Sequence, residues 1–272
     1  PAGVAGGSRG GEEEVRALLT PDVIGIIAGL EPLTRTVLSS AKNLRIISRC
    51  GTGLDNVDLD AAAELKMTIR NTPDAPAAAV AELTIGLILA CLRHIPSQDR
   101  AIRAGQWERP MGNLLGRKKL GIIGYGRIGR RVAALAETFG TEIMTFDPAW
   151  ANSMKFEDVL KQADIITLHL PYTHDTHHMI GKDQINIMKK NTVLINTSRG
   201  GLVDEDALAN ALREGHLSSA GFDVFEEEPY TGQLAMLDNI VLTPHIGSYA
   251  SEARTMQEAE ATANLYEELM HL

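Results

Sequence analysis

Short apolar, β-branched runs recur along the chain, separated by stretches with helical spacing. The runs "VIGII" (23–27), "LRIIS" (44–48), "KKLGIIG" (118–124), "EIMTF" (142–146), "DIITLHL" (164–170), "TVLINT" (192–197), "AGFDV" (220–224) and "NIVLT" (239–243) predict strands. Between them, "GRRVAALAETFG" (129–140), "FEDVLKQ" (156–162) and "DEDALANALREG" (204–215) predict helices. The strands are apolar throughout rather than alternating, so both faces of each sheet must be covered. Regular strand–helix alternation then predicts a doubly wound, parallel α/β architecture.

The pattern is also two-part. "IGIIAGL" (24–30) and "LGIIGYG" (120–126) are similar strand-then-glycine openings, as two α/β domains would give. The apolar stretch 75–95, stopped by Pro96, reads as a helix connecting them, and 251–270 reads as a closing helix. Two places depart from the pattern. Residues 1–11 are glycine-rich where an opening strand is expected, and 147–158 leave little room for an element between a strand and the next helix.

Composition narrows the function. The 272 residues allow about two domains, and 44% apolar with 22% charged residues describe a soluble globular chain. A net charge of −9 argues against a nucleic-acid or anionic-membrane partner. The longest apolar run, 83–92, is about half the length that crosses a bilayer. No secretory-signal pattern opens the sequence, and Cys50 and Cys91 are too few for a disulfide framework. The expectation is a cytoplasmic protein.

Chemistry enters at "GIIGYGRIGR" (121–130), where Gly124, Gly126 and Gly129 follow a predicted strand and open a helix. The first glycine permits a tight turn, the second lets a pyrophosphate approach the backbone, and the third allows close helix–strand packing. Asp147 ends the next strand about 20 residues further on, where a carboxylate receives ribose hydroxyls and repels a 2′-phosphate. NAD(H) is therefore expected over NADP(H). Arg127, inside the loop, is either a pyrophosphate partner or a solvated surface charge.

Three later clusters also sit at strand ends, where open α/β sheets place ligands. They are Arg199 in "NTSRGG", Asp223 followed by Glu226, Glu227 and Glu228, and His245 in "LTPHIG". A guanidinium holds a carboxylate and polarises a carbonyl. A histidine transfers a proton near neutrality, and a carboxylate bonded to the imidazole orients it. If the three converge, they make a hydride-transfer site for a 2-oxo acid.

At this point the sequence resembles the D-isomer-specific 2-hydroxyacid dehydrogenases, most nearly the phosphoglycerate dehydrogenase branch. The likeness runs through "RCGTGLDNVDLDAA" (49–62), residues 79–90, "GQWER" (105–109), "GYGRIGR", "NTSRGGLVDEDAL", "DVFEEEP" and "LTPHIG". It implies two parallel-sheet domains, one Rossmann and one flavodoxin-like, with a cleft between. The substrate domain would take 1–95 and 249–272, and the NAD domain 96–248. The resemblance makes Arg199 the substrate-polarising arginine, His245 the general acid/base and Glu228 its partner. It places the substrate carboxylate on Thr52 and Gly53, with Arg49 as an adjacent basic position. Around the cofactor it points to Arg127, Ile128, Asp147, Leu170, Thr197, Ser198, Asp223 and Gly247, with Asp223 holding the nicotinamide carboxamide. It further implies an NAD-dependent enzyme interconverting a D-2-hydroxy acid and its 2-oxo acid, and a homodimer. The alternative is a non-catalytic, NAD-sensing dimeric corepressor on the same fold. Formate dehydrogenases carry glutamine where Glu228 stands.

One departure bears on the substrate. The phosphoglycerate branch offers an arginine soon after the first strand, whereas this sequence reaches only Arg35. That weakens 3-phosphoglycerate and leaves glyoxylate-, hydroxypyruvate- or lactate-type acids open. "HDTHH" (174–178) places His174, His177 and His178 close together, but no fourth ligand is near in sequence, so no metal is expected. Cys50 is expected to be a buried filler.

Overall fold

The computed structural model describes residues 11–272, so the glycine-rich opening, apart from Gly11, lies outside the described residues. The chain divides into two compact units, 1–76 with 251–272 and 77–250.

In the smaller unit, β1 (Gly25–Ala28), β2 (Ile46–Arg49) and β3 (Thr68–Asn71) form a parallel sheet in that order. Alternation along β2 gives each face its cover. Ile47 joins a core with Val15, Val37, Leu38, Ala61 and Ala62, from helices α1 (Glu12–Leu18), α2 (Arg35–Ser40) and α3 (Leu59–Glu64). Ser48 points the other way, and its hydroxyl donates to the Ala261 carbonyl at 2.8 Å. Ala261 belongs to α10 (Ser251–Leu269), which packs on all three strands.

The larger unit opens with α4 (Ala77–Leu92) and α5 (Ile95–Arg103). Its sheet has six parallel strands: β4 (Lys119–Ile123), β5 (Glu142–Phe146), β6 (Ile165–Leu168), β7 (Thr192–Asn196), β8 (Leu217–Phe222) and β9 (Ile240–Leu242). Their order is β5-β4-β6-β7-β8-β9, so the winding reverses between β4 and β6. Ile122, Ile165 and Ile195 pack with α4 and α6 (Arg127–Glu137). Ile123, Ile166, Leu168 and Leu194 pack on the other side with residues of α7 (Phe156–Gln162), α8 (Lys182–Ile187) and α9 (Glu205–Arg213). Each such fully buried branched side chain contributes about 1.5–3 kcal/mol.

The domain boundaries differ from the sequence expectation. They fall at 76/77 and 250/251 rather than 95/96 and 248/249. The reason is α4, which packs on β7, β8, β9 and α6 and so belongs to the nucleotide-type unit. Its apolar character on all sides reflects that burial. Among the described residues, no single helix is long and apolar enough to cross a membrane. The tight stretch after β5 is a short loop, 147–155, whose Met154 N–H donates to the Thr145 carbonyl at 2.9 Å before α7 begins.

Candidate active site

The glycine loop leaves β4 at the reversal of the sheet, where a crevice forms between diverging crossovers. Gly124 has φ +99, and a Cβ there would lie 2.5 Å from the His169 carbonyl carbon. Only glycine allows this turn against the end of β6. Gly126 caps α6, and a Cβ there would meet nothing within 4 Å, which leaves the backbone open to a large anion. Gly129 sits against the Gly124 carbonyl, so the helix starts hard against the loop. This cradle, aimed by the N-terminus of α6, fits a dinucleotide pyrophosphate.

Asp147 ends β5 as expected, but its carboxylate is already engaged. It accepts from the Tyr125 N–H at 2.6 Å and from the Ala149 N–H at 2.8 Å. Trp150 stacks on Tyr125 with ring centroids 4.5 Å apart, and Arg130 lies over the same ring. The acid therefore shapes the glycine loop. Arg127 is exposed at the start of α6, and Ile128 is half-buried against the α4–α6 core.

Glu228 and His245 meet directly. Both carboxylate oxygens lie near His245 Nδ1, at 3.1 and 2.9 Å, and Glu228 Oε1 also accepts from the Phe225 N–H at 3.1 Å. The histidine stands in a turn with φ +54, its own N–H donating to the Asp223 carbonyl at 2.8 Å. Asp223 holds that turn through its side chain too. It accepts from Thr243 Oγ1 at 2.6 Å, from the Ile246 N–H at 2.8 Å and from the Gly247 N–H at 2.8 Å. Burial pushes the Asp223 carboxyl up, against the pull of these donors.

Arg199 follows β7 in a turn organised by Asn196. The Asn196 amide donates to the Arg199 carbonyl at 2.8 Å, and its Oδ1 accepts from the Ser198 N–H at 3.1 Å. The half-buried Arg199 guanidinium donates to the Ser198 carbonyl at 2.7 Å. The next residue, Gly200, lies directly against the Phe225 backbone. The arginine loop and the glutamate loop are thus in backbone contact at Gly200 and Phe225. Ser198 Oγ donates to the Leu170 carbonyl at 2.5 Å, and buried Thr197 bonds to Thr84 of α4 at 2.9 Å.

Sequence reading misses Asn196, Thr243 and Thr84. Only Asn196 carried a signal, an asparagine ending an apolar strand before a turn. In the smaller unit, Thr52 is exposed and Gly53 half-buried on the loop after β2. Arg49, at the end of β2 before that loop, is 5% exposed, donates to the Cys50 carbonyl and lies 3.3 Å from Asn56 Oδ1.

The family profile "D-isomer specific 2-hydroxyacid dehydrogenase, NAD binding domain" matches residues 85–247, more than half of the chain. The chain belongs to this family. Within the D-2-hydroxyacid dehydrogenases, it is 43% identical over 256 residues to the D-3-phosphoglycerate dehydrogenase of Methanocaldococcus jannaschii. That match covers 89% of this chain but 49% of that relative. It is 38% identical over 270 residues to the hydroxypyruvate reductase of Thermotoga maritima, covering 95% of this chain and 88% of the relative. Among solved structures, a glyoxylate reductase from Paecilomyes thermophila superposes with a TM-score of 0.89. It has 34% identity, and the match covers 95% of this chain and 85% of that one. The cofactor expected of the family, NAD(H), agrees with the glycine cradle and with an acid at the end of β5.

Proposed function

We propose that the protein is an NAD-dependent D-2-hydroxyacid dehydrogenase that interconverts a small 2-hydroxy acid and its 2-oxo acid. The observation that carries this reading is the His245–Glu228 pair held against the Arg199 loop at strand ends of a dinucleotide-type sheet. Bound nicotinamide supplies or accepts the hydride. Arg199 holds the substrate carboxylate and polarises the carbonyl through its forked donors. Glu228 engages Nδ1 of His245, so Nε2 is the nitrogen that passes the proton to or from the substrate oxygen. Asp223 fixes the turn that presents the imidazole, and the nicotinamide carboxamide is assigned to the same carboxylate. Leu170, Thr197, Ser198 and Gly247 complete the cofactor wall. Thr52 and Gly53 are assigned to the substrate carboxylate.

Arg35 favours an unphosphorylated substrate of the glyoxylate or hydroxypyruvate type. Its guanidinium bonds both Glu64 oxygens, at 2.5 and 3.1 Å, and lies 3.8 Å from Asp58, so its donors are committed within the unit. The deciding experiment follows NADH oxidation with glyoxylate, hydroxypyruvate, pyruvate and 3-phosphohydroxypyruvate. Turnover of none of them would sink the enzyme reading, and preference for the phosphorylated acid would sink the substrate assignment.

Cofactor choice is expected to follow the charge of Asp147. Asp147→Asn keeps an acceptor for the Tyr125 N–H while removing the charge that opposes a 2′-phosphate. A half-buried charge interaction is worth on the order of 1–4 kcal/mol, so the NADH/NADPH ratio of kcat/KM should fall by at least about fivefold. An unchanged ratio would remove Asp147 as the discriminator.

A homodimer is the assembly that the larger unit supports. No residue of α5 is buried, and the segment beyond it exposes Trp107 (81%) and Met111 (90%). Large apolar side chains this exposed, grouped on one segment, mark an association surface. Sedimentation should show a dimer that Trp107→Glu with Met111→Lys converts to monomer. A dimer unaffected by both changes would place the interface elsewhere.

A further inference from the structure

The loop after β6 and the loop after β8 bring together His177, His178 and Glu226, which lie outside the catalytic set. One ligand atom from each lies within 4.8 Å of the other two. His178 Nε2 is hydrogen-bonded to Glu226 Oε1. The two imidazoles stack, with centroids 3.9 Å apart and planes 24° from parallel. His177 Nδ1 bonds the Tyr172 hydroxyl at 3.2 Å, which fixes that ring from behind and turns Nε2 toward a ligand.

Both arms are braced. His178 has φ +48, a conformation a non-glycine residue adopts only where its surroundings impose it. Its N–H donates to the Gly201 carbonyl at 2.8 Å, and the Ile180 N–H to the Leu202 carbonyl at 3.0 Å. Opposite, the Glu226 N–H donates to Glu205 Oε1 at 2.9 Å, which sets a second carboxylate behind the first.

We infer that His177, His178 and Glu226 form a binding site for a divalent first-row transition-metal ion, joining the 171–178 loop to the 225–228 loop. Two imidazole nitrogens and one carboxylate oxygen are the donor set of such ions, and Zn²⁺, with water as fourth ligand, matches it best. A tetrahedral zinc with bonds of about 2.0–2.1 Å brings its donors to about 3.4 Å from one another. The bonded His178–Glu226 pair must therefore open, while the wider separations, up to 4.8 Å, close by as much as about 1.4 Å. His177 and Glu226 are exposed, so their side chains can rotate, and His177 leaves its stack on His178 to direct its lone pair at the shared ion. The ion takes the place of the proton between His178 and Glu226, which leaves to solvent. Sequence spacing hides the site because Glu226 lies 48 positions beyond His178.

The test uses the untagged chain stripped with a chelator and titrated with Zn²⁺ against a chromophoric competitor. One equivalent should bind, and His178→Ala and Glu226→Gln should each weaken it by more than about tenfold. His174→Ala and Glu227→Gln, exposed neighbours outside the cluster, should leave it unchanged. Co²⁺ in the wild type should give the visible bands of a low-coordinate site, absent in Glu226→Gln. Unfolding midpoints of the metal-free variants establish that each is folded, and Glu226→Gln decides if His178→Ala is not. No competition by the wild type, equal affinity in Glu226→Gln, or equal loss in His174→Ala would overturn the assignment.

Discussion

Replacing His245 by asparagine is expected to lower kcat by about 10²- to 10⁴-fold while leaving NADH affinity close to that of the wild type. Asparagine is the informative change because position 245 has φ +54, a conformation it tolerates better than alanine does. The turn can then persist on its bonds to Asp223 while the proton carrier is gone. Steady-state turnover with the best 2-oxo acid gives kcat, and fluorescence titration gives NADH affinity. Unchanged kcat would remove the proton-transfer role. Loss of NADH binding in parallel would instead mean that the turn had collapsed.

Gly200→Ala is expected to damage both fold and chemistry. A Cβ at position 200 would lie 1.9 Å from the Phe225 carbonyl carbon, 2.1 Å from its oxygen and 2.3 Å from the Glu226 nitrogen. All three are backbone atoms, so no rotamer change relieves the overlap and the two loops must part. Overpacking of this kind costs about 1–3 kcal/mol, which lowers Tm by roughly 2–12 °C in a unit of this size. The chemical cost is comparable, because a displacement of about 1 Å between the Arg199 loop and the Glu228–His245 pair reduces turnover about 10²-fold, or about 2.7 kcal/mol. Gly201→Ala supplies the control. There the nearest atoms belong to the Tyr172 ring, which can swing aside. Equal losses in the two variants would show that the Gly200–Phe225 contact does not couple the loops.

Strands buried on both faces were legible because uninterrupted apolar runs have few other readings. Each of the eight runs contains a strand of the fold, with ends shifted by a few residues. One further strand among the described residues, Thr68–Asn71, escapes because "TIRN" alternates between exposed and half-buried positions. It is an edge strand with little apolar signal. Helix α4 was visible as a helix but not as a member of the larger unit, since apolarity on every side says buried without saying against what. Arg199, Glu228 and His245 were legible as residues at strand ends. The loops that carry Arg199 and Glu228 meet at Gly200 and Phe225, and a tight approach between two backbones leaves no mark on side-chain pattern.

The short passage between β5 and α7 also bears on how this sheet can change. β5 lies at the end of the strand order, and among the described residues one backbone bond, from Met154 to Thr145, meets its outer side. A paired strand would make several such bonds. The exposed loop tip before Met154 is therefore a place where the sheet can lengthen sideways. Residues added there could pair with β5 while β4, the glycine loop and the other five strands keep their register. The same border is open to an extended segment from another chain, and its solubility depends on what the loop keeps in front of it.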